Sequence, residues 1–203
     1  MIEGKKLDLA CGQSKMPGYI GIDKVKVEGV DYEMDLTSYP WPIESGSVDE
    51  VYCSHYIEHI PHSTFDTYAI KATAESNSFE EYKEKIKEYI NKDGFILFMN
   101  ELHRILKPGG KAKLIAPYYS YMGSFGDPTH TRSICDFTVY YLNKEQRENM
   151  RLGHYGLDCD FDSEFSYQIA DEMTLKSDEV RNEAFLKQLN TVVGIILDLT
   201  KRK

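Results

Sequence analysis

Between Lys6 and Ser54 the sequence holds four short apolar runs, and each ends on a small or acidic residue. Lys6–Ala10 runs into a Cys-Gly turn. Tyr19–Val25 (YIGIDKV) carries Asp23, and Tyr32–Met34 stops at Asp35. Val48–Ser54 (VDEVYCS) follows a turn at Glu44–Ser47. Short apolar runs bounded by turn signals read as buried strands. Further on, Ser78 and Glu81 have capping-box spacing. They open a charged helical stretch, Glu80–Ile90, with Tyr82, Ile86 and Tyr89 on one face and a break at Asn91–Gly94. Phe95–Leu106 resumes a helical pattern through Met99, Leu102 and Leu106 until Pro108-Gly109-Gly110 stops it. Lys111–Ala116 (KAKLIA) is a fifth strand, Phe165–Leu175 a sixth, Ser177–Leu189 a helix, and Gly194–Lys201 a closing strand. Strands alternating with helices predict a doubly wound α/β sheet. Ligands of such sheets bind beyond the carboxyl ends of the strands, where the acids named above fall.

With 203 residues and no linker, repeat or low-complexity tract, the chain is expected to form one domain, 1–203. No apolar run approaches the roughly 20 residues that span a bilayer. MIEGKKLDLACG lacks the charged and apolar regions of a secretory leader, so neither membrane nor export is expected. Cys11, Cys53, Cys135 and Cys159 form no C-x-x-C pair, which suits a reduced, cytoplasmic protein. The net charge of −9 repels phosphate backbones and disfavours nucleic acid as a partner.

Leu7-Asp8-Leu9-Ala10-Cys11-Gly12 puts small residues where a strand ends, which lets backbone approach a ligand. Asp23 is placed to accept hydrogen bonds from ribose hydroxyls, and Asp35 to accept the amino protons of adenine. Each acid alone reads as a solvated loop aspartate. Together they frame one crevice.

The series LDLACG, GID, MDL, SVDEVYCSHYIEHI and ELHRILKPGGKAKLIAP resembles the motifs of class I S-adenosylmethionine-dependent methyltransferases, most closely the branch called methyltransferase type 11. The likeness runs to Pro117, with a gap between Pro61 and Phe95. It implies a Rossmann-like, mostly parallel seven-stranded sheet and S-adenosylmethionine as cofactor. It further implies that Asp8, Ala10, Cys11 and Gly12 lie on the methionine side, Asp23 and Lys24 at the ribose, and Asp35 and Leu36 at the adenine. Ser54 and His55 would stand near the sulfonium. Two departures stand out. Ala10 replaces the usual glycine, and only Gln13–Gly18 separates the first two strands, too short for the usual crossover helix.

His55-Tyr56-Ile57-Glu58-His59 matches the H-x-x-E-H of zinc peptidases. Pro61 follows too closely for a stable two-histidine helix face, so no metal is expected; His59 reads equally well as a core histidine with a satisfied hydrogen bond. The loop 117–132 is the expected substrate side. His130 is a candidate base there, with His55 as competitor, and Arg132, Asp127, Tyr118 and Tyr119 are candidate substrate contacts. Loop-pinning by Asp127 and Arg132 explains those two residues equally well. No N/D-P-P-Y string follows the fourth strand, which argues against amino methylation of DNA bases. The insert 62–92 reads as a lid, a homodimer contact or a solvated extra helix. The expected function is methyl transfer to oxygen or nitrogen of a small polar acceptor, such as a sugar. The rivals are a non-catalytic cofactor-binding protein, a zinc hydrolase using His55 and His59, and a nicotinamide dehydrogenase, which the short first crossover and LKPGG oppose.

Overall fold

A computed structural model of the chain describes residues 5–63, 65–87 and 92–203. Seven strands form one sheet: β1 (Lys6–Leu9), β2 (Ile20–Asp23), β3 (Tyr32–Glu33), β4 (Val48–Ser54), β5 (Leu106–Pro117), β6 (Phe161–Ile169) and β7 (Val192–Lys201). Their order is β3-β2-β1-β4-β5-β7-β6. The first five run parallel, and β7 lies antiparallel between β5 and β6. The chain steps outward from β1 to β3, then returns to add β4 on the other side of β1. That reversal puts a topological switch point at the ends of β1 and β4.

Period-two patterning explains how the sheet packs. Register aligns Leu7, Val51, Ala112 and Leu199 in one row and Leu9, Cys53, Leu114 and Leu197 in the next, all buried. They share a core with Phe98, Met99, Leu102 and Ile105 of α3 (Gly94–Ile105). The intervening residues face the other way: Lys6, Glu50, Lys111 and Thr200, then Tyr52, Lys113 and Asp198. These are exposed or half-buried and charge-paired across strands, Lys6 to Glu50 at 3.0 Å and Lys113 to Asp198 at 2.8 Å. Gln13–Gly18, too short for the usual crossover helix, forms turns without a helical turn. Space beside β2 is so tight that a Cβ at Gly21 would lie 2.7 Å from the Lys15 side chain of this loop and 2.7 Å from the Gly29 carbonyl oxygen of the next.

The insert contains α1 (Phe65–Glu75) and α2 (Phe79–Lys87), with Ser78 accepting the Glu81 amide as its sequence spacing implies. Tyr89, Ile90 and Asn91 of the expected helix and its break lie outside the described residues. Asp93 caps α3 by accepting the Phe95 N–H at 2.8 Å. After β5 come α4 (Gly123–Gly126), a 3-10 helix (Asp136–Leu142) and α5 (Lys144–Asn149). After β6 come α6 (Asp171–Thr174) and α7 (Asp178–Lys187). The sixth strand differs from its expected span, Phe165–Leu175. It starts at Phe161, whose ring is fully buried, and stops at Ile169, because Asp171 and Glu172 begin a helical turn. The α5 signal was present in the sequence as Asn143, which accepts the Gln146 N–H at 3.0 Å.

Candidate active site

A cleft of about 510 Å³ opens at the carboxyl ends of β1, β2 and β3. One wall is Ala10, Asp23, Lys24, Met34, Asp35, Leu36 and Thr37; the other is Tyr56, His59, Pro61 and Thr129.

Local turns build the first wall. Ala10 leaves β1 at φ +55° and Gly12 follows at +51°. The left-handed conformation costs an L-residue about 1–2 kcal/mol, and here it points the chain toward β2. Asp23 Oδ2 accepts the Gly12 N–H and Oδ1 accepts the Val25 N–H, both at 3.0 Å. Its half-buried carboxylate thus holds two turns while lining the cleft. Asp35 Oδ1 accepts the Thr37 N–H at 2.9 Å and the Thr37 hydroxyl at 2.8 Å. Leu36 is buried, and its carbonyl accepts the indole N–H of Trp41 at 3.1 Å. Trp41 in turn donates its amide to Glu101 of α3 at 2.6 Å, which anchors the segment after β3 to the core.

Three residues expected on the methionine side stand behind this wall. Asp8 is absent from the cleft lining. It is buried, and its Oδ2 accepts the Met16 N–H at 2.6 Å, so it braces the loop rather than facing the cleft. Burial raises its pKa, against the opposing pull of the Met16 amide and Lys15. Cys11 is also buried. Burial, then Asp8 and Asp23, push its thiol up to about 11, which leaves it inert. Gly12 meets the site only through its amide.

Long-range contacts build the second wall. β4 ends at Ser54, His55 turns at φ +54°, and a single 3-10 turn covers Ile57–His59. His55 and His59 therefore share no helix face, and the pairing expected of H-x-x-E-H does not form. The loop after β5 folds back onto this turn. Thr131 N–H donates to the Glu58 carbonyl at 2.8 Å and its hydroxyl to the Ile60 carbonyl at 2.6 Å. His59 Nδ1 lies 2.9 Å from Thr129 Oγ1, and its ring meets that of His130 edge-on at 4.6 Å. His130 Nδ1 lies 3.0 Å from the Ser124 carbonyl oxygen. That fixes Nδ1 as the donor and leaves the lone pair on Nε2. His55 Nδ1 stands 3.3 Å from Glu58 Oε1, and that carboxylate raises the His55 pKa against a smaller opposing effect of burial.

Two expected substrate contacts are engaged elsewhere. Arg132 forks onto Asp93 at 3.1 and 3.2 Å and also donates to the Ile60 carbonyl, with its side chain 13% exposed. It is a structural clamp, with no free edge for an anionic substrate. Tyr118 is buried against Tyr119, Tyr167 and Phe185, and its hydroxyl lies 3.5 Å from Asp136. Tyr119 is 48% exposed, outside the cleft lining. Asp127 Oδ1 receives the Thr129 amide and hydroxyl, at 2.8 and 2.6 Å, and so shapes the loop. Ser54, His55 and His130 border the cleft-lining residues without joining them. Thr129, to which the sequence assigned no role, lines it, and so does His59, which the sequence offered as a core histidine or a zinc ligand.

Against known proteins, the sequence matches no family model and no curated sequence. The structure is similar to a SAM-dependent methyltransferase from Archaeoglobus fulgidus, with a TM-score of 0.58, 16% identity, and coverage of 97% of this chain and 85% of the other. The chain has the class I methyltransferase fold. Also similar are the YcgJ protein of Bacillus subtilis (TM-score 0.49, 14% identity, 99% and 93% covered) and an S-adenosylmethionine-dependent methyltransferase of Mesorhizobium loti (0.47, 13%, 97% and 90%).

Proposed function

We propose that this chain transfers a methyl group from S-adenosylmethionine to an oxygen or nitrogen of a small polar acceptor, a sugar or related metabolite. The observation that carries this reading is Asp23. Its carboxylate ends β2, holds the Gly12 amide, and faces the same cleft as Asp35 and Leu36. A nucleoside laid in that cleft meets Asp23 at its ribose and Asp35 with Leu36 at its base. When bound, the cofactor supplies a methyl carbon on a positively charged sulfur. Held by Asp23, Asp35 and Leu36, the cofactor would supply that methyl group to a lone pair on the acceptor's oxygen or nitrogen. The acceptor proton passes to a base, for which Nε2 of His130 and the imidazole of His55 are the candidates. The acidic surface supports a small-molecule acceptor over nucleic acid. The four free cysteines suit a reducing, cytoplasmic setting. Among the described residues no helix is long and apolar enough to cross a membrane.

Calorimetric titration with S-adenosylmethionine and S-adenosylhomocysteine tests the cofactor. Wild-type protein is expected to bind both in the micromolar range, and Asp23→Ala to lose at least about tenfold in affinity, as expected for charge-assisted hydrogen bonds. Absence of binding by folded wild-type protein would overturn the reading. Tight binding with no turnover across hydroxyl and amine acceptors would leave a cofactor-binding protein instead.

A further inference from the structure

We propose that Glu58, His59 and His130 hold a divalent transition-metal ion on the acceptor side of the cleft. Each offers one ligand atom, and those atoms all lie within 4.8 Å of one another. The strongest pointer is Glu58. It is 1% exposed, and among the described residues neither carboxylate oxygen has a hydrogen-bond partner. His55 Nδ1 forms an ion pair with Oε1 at 3.3 Å from a side chain that is 59% exposed, and Oε2 has no partner among the described residues. A carboxylate withdrawn from water needs donors or a cation, and a native fold rarely leaves both of its oxygens empty.

The two imidazoles are prepared as ligands. His130 gives its Nδ1 proton to the Ser124 carbonyl, so Nε2 keeps its lone pair. For His59 the tautomer follows from a hydrogen-bond chain. The Thr129 hydroxyl donates to Asp127 Oδ1 at 2.6 Å, so its oxygen accepts from His59 Nδ1, 2.9 Å away, and Nε2 is again the free nitrogen. Asp127 Oδ2 stands 3.9 Å from His130 Nε2 and adds negative charge beside the cluster. The two chain segments that carry these ligands are stitched together by the Thr131 and Arg132 amides on the Glu58 carbonyl.

Two imidazoles and one carboxylate favour manganese, iron, cobalt or zinc over magnesium or calcium. Three protein ligands leave coordination positions open, and His59 lines the cleft, so those positions face it. The acceptor class this selects is a hydroxyl compound whose oxygen takes an open position, where the ion makes loss of its proton easier; His130 Nε2 is then a ligand and no longer a base candidate. The acceptor clause rests on the methyl-transfer reading; binding of the ion does not.

The test uses full-length protein stripped with a chelator and then titrated with Co²⁺ alone, followed by visible absorption, and with Zn²⁺ alone by calorimetry. One equivalent of either ion is expected to bind. His130→Ala and Glu58→Gln are each expected to weaken binding at least about tenfold, whereas His154→Ala, an exposed histidine elsewhere, should not. Melting temperature and S-adenosylhomocysteine binding report whether each variant is folded. If Glu58→Gln fails to fold, His130→Ala decides. No saturable binding of either ion by wild-type protein, or wild-type affinity in His130→Ala, overturns the proposal. Asp23→Ala separates the two readings, because it should lose the nucleoside and keep the ion. Wild-type protein that binds the ion but no nucleoside sinks only the cofactor reading, and the reverse result sinks only this one.

Discussion

The two walls of the cleft are built in opposite ways. In the first, the contacts that shape it are short in sequence: Asp23 to Val25, Asp35 to Thr37, Gly12 to Asp23. In the second they bridge about a third of the chain: Thr131 to Ile60, 71 residues apart, and Thr129 to His59, 70 apart. A turn closed over two residues forms wherever its own residues favour it. A contact across seventy residues exists only once the sheet has brought β4 and β5 side by side and returned the loop after β5. The first wall is therefore a property of motifs, and the second a property of the assembled fold.

The largest expected effect strikes the second wall. Arg132→Ala removes the fork to Asp93 and the bonds to the Ile60 carbonyl, leaving the partly buried Asp93 carboxylate with His62 alone as an ion-pair partner. Loss of about 3 kcal/mol is expected in denaturant unfolding, as for one partner removed from a largely buried pair. If the two walls are independent, affinity of the folded variant for S-adenosylhomocysteine should change little; a large loss would break the comparison.

A smaller effect concerns pH. Burial opposes the Asp93 charge, but Arg132, His62 and the Phe95 amide outweigh it, and the pKa lies below the ordinary 3.8. A folded pKa below the unfolded one gives stability that is complete above pH 3.8 and lost as pH falls through the folded value. The stability gap between wild type and Arg132→Ala should thus hold from neutral pH down to about that value and narrow below it. A gap unchanged in stronger acid would show that the Ile60 contacts, rather than the ion pair, carry the effect.

The smallest effect belongs to the first wall. Ala10→Gly relieves a left-handed alanine, worth about 1 kcal/mol, but enlarges the unfolded ensemble by a comparable amount. Melting temperature should stay nearly unchanged and nucleoside affinity should be retained. A marked loss of affinity would mean that the alanine methyl contributes to the cleft.

The expected strands β1 to β5 are present because their alternation is local: VDEVYCS and KAKLIA display the buried and solvated faces residue by residue. Asp23 and Asp35 line the cleft for a local reason too, the one as the last residue of β2 and the other two residues past the end of β3. Asp8 did not, because an acid within a strand points to one face or the other, and here the short loop over that face claimed it. Arg132 read equally as an anion-binding residue or a loop clamp, because nothing in DPTHTR reveals Asp93, 39 residues earlier, as its partner. His59 was the reverse case. The proline after it argued correctly against a two-histidine helix, and only the folded loop brings His130 to its ring.

By itself, then, the sequence determined the strands of the sheet, the lack of the usual crossover helix and the wall of the cleft that carries Asp23 and Asp35, because strand alternation and tight turns depend on neighbouring residues. The tertiary structure alone decided that Glu58, His59 and His130 meet and that Arg132 is spent on Asp93. Those contacts join segments whose proximity follows from strand order, and no local pattern encodes strand order.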